Sequence, residues 1–187
     1  MEKPFVAKWY HLILYPGWLR RIQQKPRKML SRFVQPGMIV ADIGCGTGFY
    51  TLELAKLVGE SGLVTAVDFQ SKMLEITGKR AGKAALGGRI KLVHCTREDL
   101  SLSEKFDFIL TMWVAHEVGD RKRFFRQIRE ALRPAGRHLL AEPKFHVNKQ
   151  LYNEICRDAQ AAGLVKIDEP KVGISYAALF EPELGGR

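Results

Sequence analysis

The stretch Ile39-Val40-Ala41-Asp42-Ile43-Gly44-Cys45-Gly46-Thr47-Gly48 decides how this chain is read. An apolar strand ends in an aspartate, a turn with glycine at alternate positions follows, and a helical pattern begins at Phe49. Glycine has no Cβ, so such a loop lets the polar end of a ligand approach the bare backbone. An acid just before the turn is unfavourable for a pyrophosphate and favourable for a ligand that carries an amino group. The fingerprint G-x-G-x-x-G also places its third glycine one position later than Gly48. The stretch therefore points to an amino-acid-bearing cofactor rather than a dinucleotide.

Outward from this stretch, strands and helices alternate. Met38 to Ile43 predicts a buried strand, and Phe49 to Val58 a helix closed by Gly59. Leu63 to Val67 is a second strand ending at Asp68, and Ser71 can cap a helix that runs toward Arg80. Ile90–His94 and Phe106–Met112 are the third and fourth strands. Asp120 caps a helix carrying Phe124, Phe125, Ile128 and Leu132, ended by Pro134-Ala135-Gly136. His138–Ala141 is a fifth strand. Asn148 caps a helix carrying Leu151, Tyr152, Ile155 and Ala159, stopped by Gly163, and two short strands fit near Leu164–Asp168 and Ile174–Phe180. Before all of these, Trp18 to Val34 has helical spacing that Pro26 bends or divides and Pro36-Gly37 ends. This order predicts an α/β fold, a doubly wound and mostly parallel sheet covered on both faces.

At 187 residues, 46% hydrophobic and 27% charged, the chain fits one globular domain, residues 1–187. It has no apolar run long enough to span a bilayer and no secretory h-region. The three cysteines, Cys45, Cys95 and Cys156, match no zinc spacing and suit a reducing cytoplasm, the expected localisation. The net charge is +10, and residues 1–35 hold eight basic side chains against Glu2 alone. These are either a solvated helix face or a surface that attracts nucleic acid or an anionic membrane.

In open α/β sheets ligands bind beyond the carboxyl ends of the strands, where strand order switches. The residues there are Asp42 to Gly48, Asp68-Phe69, Cys95-Thr96-Arg97, Thr111-Met112-Trp113 and Glu142-Pro143. Asp68 follows Gly44 by 24 positions, the spacing at which a carboxylate accepts hydrogen bonds from ribose hydroxyls.

Taken together these motifs resemble the class I S-adenosylmethionine-dependent methyltransferases, and among them the small domains that act on small molecules or lipids. Val40 to Gly48 resembles the family's first motif. Thr65-Ala66-Val67-Asp68-Phe69 with Met73-Leu74 resembles the second. Phe106 to Leu110 with His116-Glu117-Val118 resembles the fourth-strand motif, and Leu132 to Arg137 through Glu142-Pro143 the turn into the fifth strand. The resemblance implies a Rossmann-like core, residues 36–187, with seven strands and an antiparallel C-terminal strand, and S-adenosylmethionine as cofactor, leaving as S-adenosylhomocysteine. It implies that Asp42 and the backbone of Gly44, Cys45, Gly46, Thr47 and Gly48 hold the methionine end and that Asp68 binds the ribose. Phe69 and Met73 would pack near adenine or ribose, Thr96 and Arg97 would meet the adenine edge, and Thr111 and Met112 would flank the methionine moiety. The chain departs from the pattern at Cys95-Thr96, where relatives often read Gly-Asp.

Methyl transfer from a sulfonium is an in-line displacement, so a base helps only if the acceptor must lose a proton. His116 is the candidate base; its other reading is a packing or helix-capping residue. His11 has less support, and His94, His138 and His146 read as structural or exposed. Thr111-Met112-Trp113-Val114 lacks the Asn/Asp-Pro-Pro-aromatic clamp of DNA and glutamine methyltransferases. It also lacks the acid that catechol-type enzymes use for magnesium, so no metal is expected. Cys45 reads as a small filler. The aromatics Phe5, Trp9, Tyr10, Tyr15 and Trp18, in the basic helical arm 1–35, form either a lid or a staple. The expected function is methylation of a small organic or lipid-like molecule. The alternatives are a methyltransferase-like binding protein for nucleic acid or membrane, and a nicotinamide-dependent oxidoreductase.

Overall fold

The computed structural model describes residues 25–183. The aromatic residues from Phe5 to Trp18, and His11 among them, lie outside the described residues. β1 (Ile39–Ile43) pairs in parallel with β2 (Leu63–Asp68) on one side and β4 (Phe106–Met112) on the other. β3 (Ile90–His94) continues the parallel sheet beyond β2, and β5 (Leu132–Pro143) beyond β4. β7 (Ser175–Pro182) runs antiparallel to β5, and β6 (Leu164–Asp168) antiparallel to β7. The order is β3-β2-β1-β4-β5-β7-β6, a seven-stranded Rossmann-like sheet whose direction of winding switches between β1 and β4.

Helices cover both faces, which is why the central strands read as continuous apolar runs. α4 (Arg121–Ala131) and α5 (Lys149–Ala161) bury Phe125, Ile128, Tyr152 and Ile155 against Ala41, Ile43, Ile109 and Leu140. α1 (Pro26–Leu30) and α2 (Phe49–Val58) bury Leu30, Leu54 and Val58 against Val40, Phe108, Leu110 and Leu139, joined by Ala81 of α3 (Ser71–Lys83). Consecutive residues of β1 thus serve opposite layers, as a pleated strand requires.

The caps follow the sequence in two cases. Asp120 accepts from Arg123 N–H at 3.0 Å and Asn148 from Leu151 N–H at 2.8 Å. α3 differs: Ser71 is its first helical residue and Gln70 the cap, with no side-chain bond of its own. Asp68 accepts from Gln70 N–H instead, at 2.9 Å. Pro26 opens α1 as its first residue, after Lys25 in the left-handed region; the residues from Trp18 to Gln24 lie outside the described residues. Pro134-Ala135-Gly136, expected as a helix stop, lies inside β5. Phe106 pairs with Leu132 but Phe108 with Arg137, so the segment bulges, and a Cβ on Gly136 would lie 2.6 Å from the Phe106 carbonyl.

His138 is fully buried on β5, between the rings of Phe125 and Phe180. Its Nε2 bonds Thr111 Oγ1 at 2.9 Å, and its Nδ1 has no hydrogen-bond partner. Burial pushes the imidazole down to about 3. The unfolded chain takes up this proton near pH 6.5 and the folded chain does not, so stability is lost as pH falls from 6.5 toward 3. Between pH 7 and pH 4.5 the native protein should lose about 2–3 kcal/mol more than the His138→Gln variant. Urea unfolding at the two pH values measures this, and equal losses would remove His138 as the cause.

Candidate active site

The parallel register brings the ends of β1 to β5 to one edge: Ile43 lies beside Val67 and Thr111, Asp68 beside His94, and Met112 beside Ala141. The loop after β1 turns there. Gly44, Gly46 and Gly48 have φ of +71°, +53° and +77°, a left-handed alternation that explains the spacing of the glycines. Gly44 and Cys45 donate to Val67 O, and Gly46 N–H donates to Asp68 Oδ2 at 2.9 Å. From α3, Thr77 Oγ1 donates to Gly46 O at 2.9 Å and Arg80 to Thr47 O at 2.5 Å.

Two cavities of about 420 and 310 Å³ adjoin at this edge and share Gly44, Asp68, Phe69, Val114 and Glu117. The larger takes in Thr96 and Arg97, with the Arg97 guanidinium 5.1 Å from the Phe69 ring centre. The smaller takes in Cys45, Gly46, Thr47, Met73, Met112 and His116. Asp68 is nearly buried between them, and burial pushes its carboxyl up against the bonds from Gln70 and Gly46. Burial and then the nearby Asp42 and Asp68 push the Cys45 thiol up, which keeps it protonated and a poor nucleophile.

Three residues expected to meet the cofactor do not line either cavity. Asp42 faces the α2 layer, because Ala41 and Ile43 face the other, and it accepts from Thr51 Oγ1 at 2.6 Å. Thr111 is buried on His138. Gly48 is set back at the start of α2, where a Cβ would lie 2.8 Å from Thr77 Cγ2.

The structure adds residues that the motifs do not assign. Trp113, at φ +65°, is a bulky residue in the left-handed region, a strained conformation of the sort that collects at functional sites. Its N–H donates to Ala141 O and its Nε1 to Ser175 Oγ at 2.9 Å, and Phe145 packs edge-on against its ring. Phe49 and Tyr50 line the same cavity. Glu142, fully buried at the end of β5, lies 2.5 Å from His116 Nδ1. Its signal in the sequence is its place at a strand end; 26 residues separate it from His116. Among the described residues no three His, Cys, Asp or Glu side chains group as metal ligands would, and no helix is long and apolar enough to cross a membrane.

A doubly wound sheet with a glycine loop, a buried acid after β2 and paired cavities at the switch point defines an enzyme-like nucleoside-binding class. Residues 35–176 match the family model described as a methyltransferase domain. The chain belongs to that family, and its fold is that of the class I S-adenosylmethionine-dependent methyltransferases. Over 132 residues it is 34% identical to demethylmenaquinone methyltransferase of Staphylococcus aureus, covering 68% of this chain and 54% of that protein. The chain spans about half the length of the curated relatives it matches. Among solved structures, a SAM-dependent methyltransferase from Aquifex aeolicus superposes with a TM-score of 0.81 at 24% identity, covering 94% of this chain and 98% of that one. The [4+2]-cyclase SpnF superposes with 0.72 at 16% identity, covering 86% and 82%. These two likenesses show the fold alone, and a cyclase shares it. The family membership leaves the nicotinamide-dependent alternative without support.

The two cavities meet where Gly44 passes Val114: a Cβ at Gly44 would lie 2.3 Å from Val114 Cγ2. Gly44→Ala therefore adds a clash to the left-handed cost of about 1–2 kcal/mol. A double-mutant cycle with Val114→Ala, which removes the clashing methyl, should recover the clash and leave the backbone cost. Urea unfolding of the four proteins checks this, and simple additivity would contradict the contact.

Proposed function

We propose that this chain uses S-adenosylmethionine to methylate a small, flat, largely apolar acceptor of the quinone class. The observation that carries this reading is the junction of the two cavities, where a buried carboxylate, a bare loop and the N-terminus of α2 meet. The donor and acceptor set fits the cofactor. Each Asp68 oxygen bonds one backbone N–H and keeps capacity for a ribose hydroxyl. Phe69 and Met73 pack the ribose and adenine, with Thr96 and Arg97 at the adenine edge. Cys45, Gly46 and Thr47, ahead of the positive end of α2, receive the methionine carboxylate, and Met112 flanks its chain. Asp42 and Gly48 support the loop from behind.

S-adenosylmethionine supplies a methyl group on a sulfonium, so the electron pair of the broken C–S bond stays on sulfur. The protein's work is to align the acceptor and exclude water. Phe49, Tyr50, Trp113 and Phe145 give the smaller cavity aromatic walls suited to a flat ring. The name of the S. aureus relative, demethylmenaquinone methyltransferase, supports an acceptor of that class. The buried free cysteines fit a reducing compartment, and we place the protein in the cytoplasm.

Isothermal titration should show S-adenosylhomocysteine binding to the native protein, and Asp68→Ala should weaken it roughly tenfold or more, the scale of lost charge-assisted hydrogen bonds. Native protein that fails to bind would remove the cofactor, and undiminished affinity in the variant would remove Asp68 from the ribose.

A further inference from the structure

Glu142 is a buried carboxylate, which a folded chain tolerates only when its oxygens are hydrogen-bonded or paired. Its Oε1 accepts from Ala115 N–H at 2.8 Å, and its Oε2 lies 2.5 Å from His116 Nδ1. The peptide that bonds one oxygen directly precedes the imidazole that bonds the other, so the carboxylate grips the turn Ala115–Glu117 at two points. The His116 ring is nearly buried and packs on the His146 ring, with centres 5.1 Å apart. The charged and titratable groups recorded against it are Glu142 on β5, Glu117 on its own turn and His146 after β5. Glu117 Oε1 is 3.9 Å from Nε2, beyond hydrogen-bond reach.

An ionised carboxylate can only accept, so Nδ1 must carry the hydrogen in the bond to Glu142. A neutral ring held in that tautomer has its lone pair on Nε2, and His116 lines the aromatic cavity. We infer that Glu142 is a positioning residue that fixes His116 as the proton acceptor for an acidic hydroxyl of the methyl acceptor, a phenol, hydroquinone or enol. The inference rests on the methyltransferase reading above. The acceptor's O–H bond breaks, its electron pair stays on oxygen, and the proton passes to Nε2. The oxygen then bonds the methyl group as the C–S electron pair withdraws onto sulfur, or a ring carbon conjugated to it does so and then gives up its own C–H proton as the O–H re-forms, and the imidazolium beside Glu142 returns its proton to solvent. Glu142 raises the rate by holding ring and tautomer, as the buried acid of a Ser-His-Asp triad does.

The test reads the tautomer directly. In long-range ¹H–¹⁵N spectra of histidine-labelled native protein, with the ring neutral, His116 should show a protonated Nδ1 and a bare Nε2. In Glu142→Gln the side-chain amide can donate to Nδ1, and the Nε2–H form should gain population. With 1,4-naphthohydroquinone as probe acceptor, His116→Gln should lower kcat roughly a hundredfold or more and Glu142→Gln about tenfold or more. KM for the hydroquinone and affinity for S-adenosylhomocysteine should stay within about threefold, since a base acts in the transition state. An Nε2–H tautomer in the native protein, or a kcat for His116→Gln within threefold of native, would overturn the inference. Failure of the native protein to bind S-adenosylhomocysteine would overturn the cofactor reading instead. The tautomer measurement needs no ligand and no variant, so it decides the Glu142–His116 pairing on its own.

Discussion

One carboxylate holds the glycine loop and the helix beyond it together. Asp68 bonds the N–H of Gly46 with one oxygen and that of Gln70 with the other, so it fixes the glycine loop and starts α3 at once. A loop of left-handed glycines has few side chains with which to define its own shape. Its shape comes from polar tethers: Val67 O and Asp68 on one side, Thr77 and Arg80 of α3 on the other. These groups meet because β1 and β2 pair in register and because α3 returns over the loop. The site is therefore a consequence of the sheet, and a ligand that reaches Asp68 meets an acid already held in place.

The β4–β5 side of the strand-end edge is built by other means. Trp113 occupies a backbone conformation that an ordinary L-residue avoids, and three contacts from distant segments hold it there: Ala141 O, Ser175 Oγ and the Phe145 ring. Next to it, Glu142 binds the turn that carries His116. Both features lie on the β4–β5–β7 half of the sheet, and the loop and Asp68 lie on the β1–β2 half. The two halves meet along the Gly44–Val114 contact, so each cavity draws its walls from elements of both.

Most of the fold was legible because burial on both faces leaves an unambiguous mark. Runs such as Leu63–Val67 hold a single polar residue, Thr65, and lie between Ser61-Gly62 and Asp68. Asp120 and Asn148 could be placed as caps because the next turn of helix supplies their partner locally. Ser71 misled, because the group that serves the start of α3 is Asp68, outside the helix. Pro134 to Gly136 look like a stop, and the register shift against β4 accommodates them within a strand. In the site, the residues of the loop and of β2 that line the cavities stand together in one local motif, which is why the sequence brings them forward. Asp42 and Thr111 stand off the two cavities for a single reason: strand parity sends their side chains to the helix layers, and parity needs the register. Glu142 carries a legible position but no legible partner, since the bond to His116 spans 26 residues and a 3₁₀ turn.

The strand order has a consequence for biosynthesis. β7 follows β6 in the chain yet lies between β5 and β6, so β6 has no neighbour until β7 has been made. Ser175, the hydroxyl that bonds the Trp113 indole, is the first residue of β7. A nascent chain emerging N-terminus first can assemble the glycine loop, β2 and α3 while the ribosome is still translating β5. The Trp113–Ser175 bond must wait for β7, so the glycine loop and its tethers can take shape before the indole that faces them is pinned.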